Sequence, residues 1–363
     1  MVYYLYRTAP FIVPLALTIA LIGNVNGAAS EGAVNIPDPN LRAVIAKALD
    51  KPEDAVITVA DMAALTDLSA TGAKIGSLTG LEFGANLTVL ILNNNHCSDL
   101  APLSRLTNLE ALDIGGNPVT DLSPLAGLTK LEFLEIPDCK IVDLSPLEGL
   151  SRLTNLNLAN NQITDLTPLT GLKGLEWIDL TGNQISDLSP LAKLKNLKML
   201  WLAENIVSDL APLSDFPNLV QLLLKSNEIS DVAPLAQLTK LQKLDISVNS
   251  VSDLSPLAKL TNLRQLSLDE NQIEDLSPLK ELSNLTQLHL FKNRVSDLSP
   301  LAGLTNLERL GLVDNRVSDL SPLVKLTKLK ELDLRSNSLT PKTISTHIPR
   351  LEAKGVYVEY SAR

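Results

Sequence analysis

Leucines recur along this chain in two alternating rhythms. Leu156 and Leu158 alternate with Asn155, Asn157 and Ala159, a period of two that predicts a short strand with its leucines on one face. Shortly afterwards Leu166, Leu169, Leu172 and Leu175 are spaced by three. That period fits a 3₁₀ segment, whose side chains eclipse at i and i+3, better than an α-helix. Asn161 lies between the two rhythms. It has equivalents every 22 residues, at Asn183, Asn205, Asn227, Asn249, Asn271, Asn293, Asn315 and Asn337 going forward and at Cys139, Asn117, Asn95 and Ala73 going back. The count holds over thirteen positions without insertion or deletion.

Each block therefore predicts a strand, a turn and a 3₁₀-like return. The amide of Asn161 can donate to and accept from backbone groups of adjacent turns that would otherwise be buried without partners. Stacked copies predict a ladder along the molecule, with a poorer rung at Cys139, a weak donor. In the return, D-L-S-P-L places Ser or Thr before Pro, a good pair for a cap and first turn. One block cannot bury its leucines alone; stacking supplies the core. Strands side by side at about 4.8 Å, with a wider return side, predict a stack that curves with the strands on its concave face.

The unit L-x-x-L-x-L-x-x-N-x-I/L is the leucine-rich repeat signature, which admits Cys at the Asn place. The fold class expected is an α/β solenoid: a leucine-rich repeat right-handed superhelix with a parallel concave sheet and convex 3₁₀ segments. The uninterrupted period overrides the usual expectation of two or three domains for 363 residues. Thirteen coils are expected over 65–339, the first degenerate because Leu65, Leu68 and Ala70 lead to Ala73 rather than Asn. Residues 30–64 read as an N-terminal helical cap. Asp38-Pro39 starts a helix whose apolar stripe is Leu41, Val44, Ile45, Ala48 and Leu49, and Thr58 with Asp61 forms a capping box before Met62 and Leu65. Residues 340–363 read as the C-terminal cap: a helix from Thr340-Pro341 with Ile344, Ile348 and Leu351 on one side, interrupted at Pro349 and ended by Gly355. A closing strand follows through Val356, Val358 and Tyr360.

Residues 1–29 differ from all that follows. Arg7 precedes a largely apolar run from Ala9 to Gly23, then small residues, as in a secretory signal peptide cleaved after Gly27 or Ala29. The run is short for a membrane span and contains Pro10 and Pro14, so stable membrane insertion after cleavage is not expected. The product would be secreted, extracellular or periplasmic. A formal net charge of −10 argues against nucleic acid or an anionic membrane as the main partner. Cys97 and Cys139 fall two coils apart, about 10 Å at the strand spacing, beyond disulfide reach, and read as buried free thiols.

The repeat with D-L-S-P-L on its outer side, and the order leader, helical cap, repeats, resemble the bacterial internalin type of leucine-rich repeat protein. The segment V-N-I-P-D-P-N-L-R-A-V-I-A-K-A-L at Val34–Leu49 is similar to the caps of such secreted proteins. The resemblance covers nearly the whole chain after the leader. It implies binding of a protein partner, such as a cell-surface or host protein, through the concave face.

The fixed register identifies the positions facing that side: the second, fourth and sixth residues before each ladder residue. Trp177 and Trp201 both fall there on consecutive coils, with Met199 and Leu223 beside them, Ile206 just after Asn205, and Phe133 two coils earlier. His289 and Phe291 form a smaller second spot. Exposed apolar clusters and Trp mark interaction surfaces, so these eight residues are the candidate partner-binding set. Glu135, Asp179, Glu204 and Asp245 frame the cluster, and Lys292, Arg294, Arg309, Arg316 and Arg335 collect toward the C-terminus. A carbohydrate, on which tryptophan rings stack, is the alternative ligand.

Catalysis has one candidate. Ser267 and His289 share a column on neighbouring coils, but the place on the far side of the histidine, where a triad needs its acid, is Gly311. An extracellular hydrolase is therefore disfavoured, and no enzyme activity is expected. The aspartate column Asp99, Asp121, Asp143, Asp165 and on to Asp319 resembles a calcium ladder, but its place before each return segment makes capping of turn N–H groups the better account. No metal or cofactor is expected.

Overall fold

A computed structural model of the chain describes residues 32–361; the expected leader lies outside them. Every block forms one three-residue strand: β1 Asp67–Ser69, β2 Val89–Ile91, β3 Ala111–Asp113, β4 Phe133–Glu135, β5 Asn155–Asn157, β6 Trp177–Asp179, β7 Met199–Trp201, β8 Gln221–Leu223, β9 Lys243–Asp245, β10 Gln265–Ser267, β11 Gln287–His289, β12 Arg309–Gly311 and β13 Glu331–Asp333. With β14 (Tyr357–Glu359) they make one 14-stranded sheet in sequence order. Each strand pairs in parallel with the next, residue i opposite i+22 from β1 to β13. A short 3₁₀ segment returns the chain between consecutive strands of β1–β13, for instance Thr167–Gly171 and Ser189–Lys193. Both predicted periods are thus realised, and the fold is the expected solenoid.

The core is one continuous stack of leucines. Leu156, Leu158, Ile163, Leu166, Leu169, Leu172 and Leu175 of a single coil are fully buried. Phe216 fills a leucine slot on the return side, with the Lys195 ammonium 5.4 Å from its ring centroid. The asparagine ladder binds each coil to the one before. Asn161 Oδ1 accepts from Ile141 N–H at 3.0 Å, and its Nδ2 donates to Ile136 C=O at 2.8 Å and Leu158 C=O at 3.0 Å. At Cys139 the thiol reaches the carbonyls of Pro137 and Ile114 only at 3.5 and 3.8 Å, the weaker rung expected of sulfur. Cys97 and Cys139 are both buried and free, and burial with the nearby Asp38 charge pushes the Cys97 thiol up to about 11.

The aspartate column caps the returns. In the complete copies the carboxylate accepts the N–H two residues on, as Asp121 does from Ser123 and Asp187 from Ser189, each at 2.8 Å. The residue before each ladder position supplies a feature the leucine pattern did not predict. From Asn94 through Gly116, Asn160 and Gly182 to Ser336 it has a positive φ, which turns the chain out of the strand. Asn, Gly and Asp tolerate this left-handed geometry; Val248, with φ 55°, is strained there.

The N-terminal cap contains α1 (Pro39–Ala48) and α2 (Val59–Ala64). Asp38 caps α1 through the N–H groups of Asn40 and Leu41 and also accepts from Gly76 N–H at 2.7 Å and Ser77 N–H at 3.1 Å, fastening the cap to the first coil. The Thr58–Asp61 capping box is formed in both directions. One detail of the stripe differs: Ala46 is buried beside Ile45, whereas Ala48, the last residue of α1, is exposed. At the other end a π turn, Thr343–His347, runs without a break into α3 (Ile348–Glu352), with Pro349 just past the junction. Thr343 and His347 are buried here, Thr343 donating to Ser318 C=O at 2.8 Å and His347 facing Asp319 at 3.1 Å.

Candidate functional site

Strand pairing converts the repeat register into columns across the concave face. One runs Phe133, Asn155, Trp177, Met199, Gln221; the next runs Asp113, Glu135, Asn157, Asp179, Trp201, Leu223, Asp245, Ser267, His289, Gly311. The candidate side chains on the strands therefore lie where the register put them. Trp177 and Trp201 form a T-shaped pair, with centroids 5.4 Å apart and planes at 81°.

Exposure corrects part of the expectation. Trp177 is only 5% exposed and Leu223 only 6%, so neither offers an open face. Neighbouring positions lie about 4.8 Å apart; on a concave surface large side chains at that spacing close over one another, and Trp177 sits between Asn155 and Met199. Phe133, Met199, Trp201 and His289 are partly exposed, and Ile206 (48%) and Phe291 (37%) are open. Trp177 thus supports the surface, while Trp201 and Met199 present it; Ile206 is open in the segment that follows β7. The Trp201 indole N–H is shut off from solvent with no acceptor in reach.

Two hollows adjoin this cluster on its N-terminal side. A groove of about 430 Å³ is lined by Trp177, Trp201, Asp179, Asn157, Glu135 and Asp113, among others. A second, of about 340 Å³, shares Asp113 and Glu135 but is otherwise walled by Val89, Ile91, Ala111 and Phe133. Two glycines in the groove wall are closely packed: an added Cβ at Gly115 would lie 2.7 Å from Pro137, and one at Gly116 would lie 2.6 Å from Asn94 Oδ1. Burial pushes the carboxyls of Asp113 and Asp179 above the usual range, although each accepts a backbone N–H, from Gly115 and Thr181.

The C-terminal spot is differently built. A hollow of about 480 Å³ lies over Gly311, bounded by His289, Arg309, Glu331, Asp333 and Tyr357. Its charges meet internally: Arg309 pairs with Glu331 at 3.2 Å and Arg335 with Asp333 at 2.5 Å. Ser267 and His289 are register partners, with Gly311 on the far side. Asp269 lies near enough to His289 for their charges to interact, but its Oδ1 is taken by Phe291 N–H at 2.7 Å and burial raises its carboxyl. That is not a triad. Among the described residues no group of three or more His, Cys, Asp or Glu side chains is placed to hold a metal ion, and no helix is long and apolar enough to cross a membrane.

Comparison with known proteins adds the following. The family described as Leucine Rich repeats (2 copies) matches end to end at 85–127, 129–171, 173–215 and 217–259 and then in overlapping stretches through 305–346. Among solved structures, an internalin (inlF) from Listeria monocytogenes str. 4b F2365 is 31% identical with a TM-score of 0.72, covering 93% of this chain and 95% of that one. A leucine-rich repeat protein of Leptospira interrogans is 26% identical with a TM-score of 0.70, covering 79% of this chain and 81% of that one. The functional domain of InlJ from Listeria monocytogenes, which includes a cysteine ladder, is 26% identical with a TM-score of 0.66, covering 88% of this chain and 78% of that one. Among curated proteins none matches.

Proposed function

The chain belongs to the leucine-rich repeat family and is internalin-like, and from that premise we propose that it is an exported scaffold that binds a protein partner through its concave sheet. The family is typically non-enzymatic and its fold is typical of protein-binding domains. The observation that carries the reading is the aromatic and apolar run on β6–β8: Trp201 and Met199, backed by buried Trp177 and Leu223, with exposed Ile206 in the segment after β7. Such a rigid, partly desolvated platform resembles the centre of a binding hot spot. Phe133 extends it toward the N-terminus, and His289 with Phe291 forms a smaller outlying contact.

The mechanism is complementarity over a preformed surface. The stacked ladder holds each strand, so little ordering cost attends binding. Export rests on the leader-like residues 1–29 and on the internalin-like character of the repeats. Residues 30–363 as bait in cell-surface and secreted protein extracts, beside the Met199→Ala/Trp201→Ala variant, test the reading. A protein held by the first and lost by the second supports it; equal retention by a variant that melts like the parent removes the platform from the interface.

A further inference from the structure

The concave columns are electrostatically lopsided. Strands β1–β7 and the three residues after each carry Asp67, Asp113, Glu135, Asp138, Asp179 and Glu204, and neither lysine nor arginine. The same positions on β8–β13 carry Lys225, Lys243, Lys292, Arg309 and Arg335 among their acids. The bias coincides with shape. Asp113, Glu135, Asp138 and Asp179 line the groove that ends on Trp201, and Asp113 and Glu135 also border the apolar hollow of Val89, Ile91 and Phe133.

We propose that this half of the sheet is the seat of an extended, lysine- or arginine-bearing segment of a protein partner, its cations on Asp113, Glu135, Asp138 and Asp179 and its apolar side chains in the Phe133 hollow and on Trp201. The proposal rests on the concave-face reading above and names the chemistry of its ligand. Charge complementarity selects the occupant: an anionic concavity with low-dielectric walls draws cations and rejects acids. Shape selects an extended chain. Its alternate side chains project the same way about 7 Å apart, so a short stretch spans β3 to β6 and alternates between carboxylates and apolar walls. Burial of Asp113 and Asp179 adds to the bias, because a cation beside them offsets the cost of holding their charge away from water. The Trp201 indole N–H, closed off without an acceptor, lies at the end of the same groove, where a small ring rotation would offer it to a bound carbonyl.

The test uses a fluorescein-labelled decapeptide of alternating lysine and valine, and its counterpart with glutamate for lysine, titrated against the intact chain by anisotropy at physiological salt. Trp177 and Trp201 are the protein's two tryptophans, so their emission independently reports occupancy of the groove. The variant Asp113→Asn/Glu135→Gln/Asp138→Asn/Asp179→Asn is set beside Glu148→Gln/Glu228→Gln/Glu274→Gln/Glu281→Gln, which removes four exposed charges elsewhere. The expected result is binding of the lysine peptide only, weakened about 30-fold or more by the groove variant and within about twofold by the other. Equal weakening by both variants, equal binding of the glutamate peptide, or no binding of the lysine peptide overturns the proposal. The concave-face reading would survive such a result if Met199→Ala/Trp201→Ala still abolished partner capture, so the two failures are separable.

Discussion

In the C-terminal half of the concave sheet three cations sit on acids beside them: Lys292 on Glu270 at 2.7 Å, Arg309 on Glu331 at 3.2 Å and Arg335 on Asp333 at 2.5 Å. The N-terminal half carries acids of the same kind in the same columns with no cation among them, and crowds them around a tryptophan pair. The ladders differ in the same sense. Behind the C-terminal half every rung is asparagine; behind the N-terminal half the rungs include Ala73 and Cys139. One repeat unit thus supports a half in which lysines and arginines stand among the acids and a half whose concave positions carry acids without lysine or arginine. Backbone geometry does not distinguish them, because every strand is three residues long with the same register. The difference lies in side chains that the fold leaves free to vary.

Five changes would sharpen or break this contrast, taken from the largest effect down. Asn293→Ala removes the acceptor of Ile273 N–H and the donor to Leu268 and Leu290 carbonyls in the regular half. With those groups buried the cost is about 3 kcal/mol in a denaturant melt. Asp38→Ala, which releases the N-terminal cap from Gly76 and Ser77, costs about 2 kcal/mol. It should first raise hydrogen exchange in β1 and β2, since each coil is held by its neighbours. Cys139→Asn, which completes the broken rung, gains about 1 kcal/mol. Val248→Asn relieves the left-handed strain at φ 55° for a gain of about 1 kcal/mol.

The smallest effect is set by pH. Burial raises the Asp113 and Asp179 carboxyls, so ionising them costs stability as pH rises through their folded values. Asp179→Asn should therefore stabilise slightly near neutrality, within about 0.5 kcal/mol, and lose that gain in acid. The capping aspartates run the other way. Hydrogen bonds from the Ser or Thr two residues on hold Asp121, Asp165 and Asp187 below the usual range, so their contribution is full above it and falls as pH drops through their folded values. Thermal melts of parent and variant from pH 3 to pH 7 separate the two classes.

Much of this was legible in the residues. Period two and period three on either side of Asn161 specify strand and 3₁₀ return, and the exact repeat specifies stacking and register. The columns of the concave face followed without a structure, as did the capping role of Asp121 and its equivalents and the weak rung at Cys139. Exposure did not follow. A register says which way Trp177 projects, but not that Trp201 and its neighbours close over it on a curved surface. The left-handed column through Asn94, Gly116 and Asn160 was visible only as a mild taste for Asn, Gly and Asp, blurred by Val248 and Lys292. The buried pair Thr343 and His347 gave no signal, because the π turn before Pro349 belongs to no repeat.

The central claim is that a partner sits on the N-terminal half of the concave face. Asn155 and Gln265 occupy the same column, one beside Trp177 on β6 and the other beyond it on β10. Asn155→Cys and Gln265→Cys can each be labelled with a benzophenone maleimide while Cys97 and Cys139 stay buried. Photolysis with the extract used for capture should give a cross-linked partner from position 155 and little from 265. A cross-link from 265 alone, or equally from both, would contradict the account and move the working face toward His289.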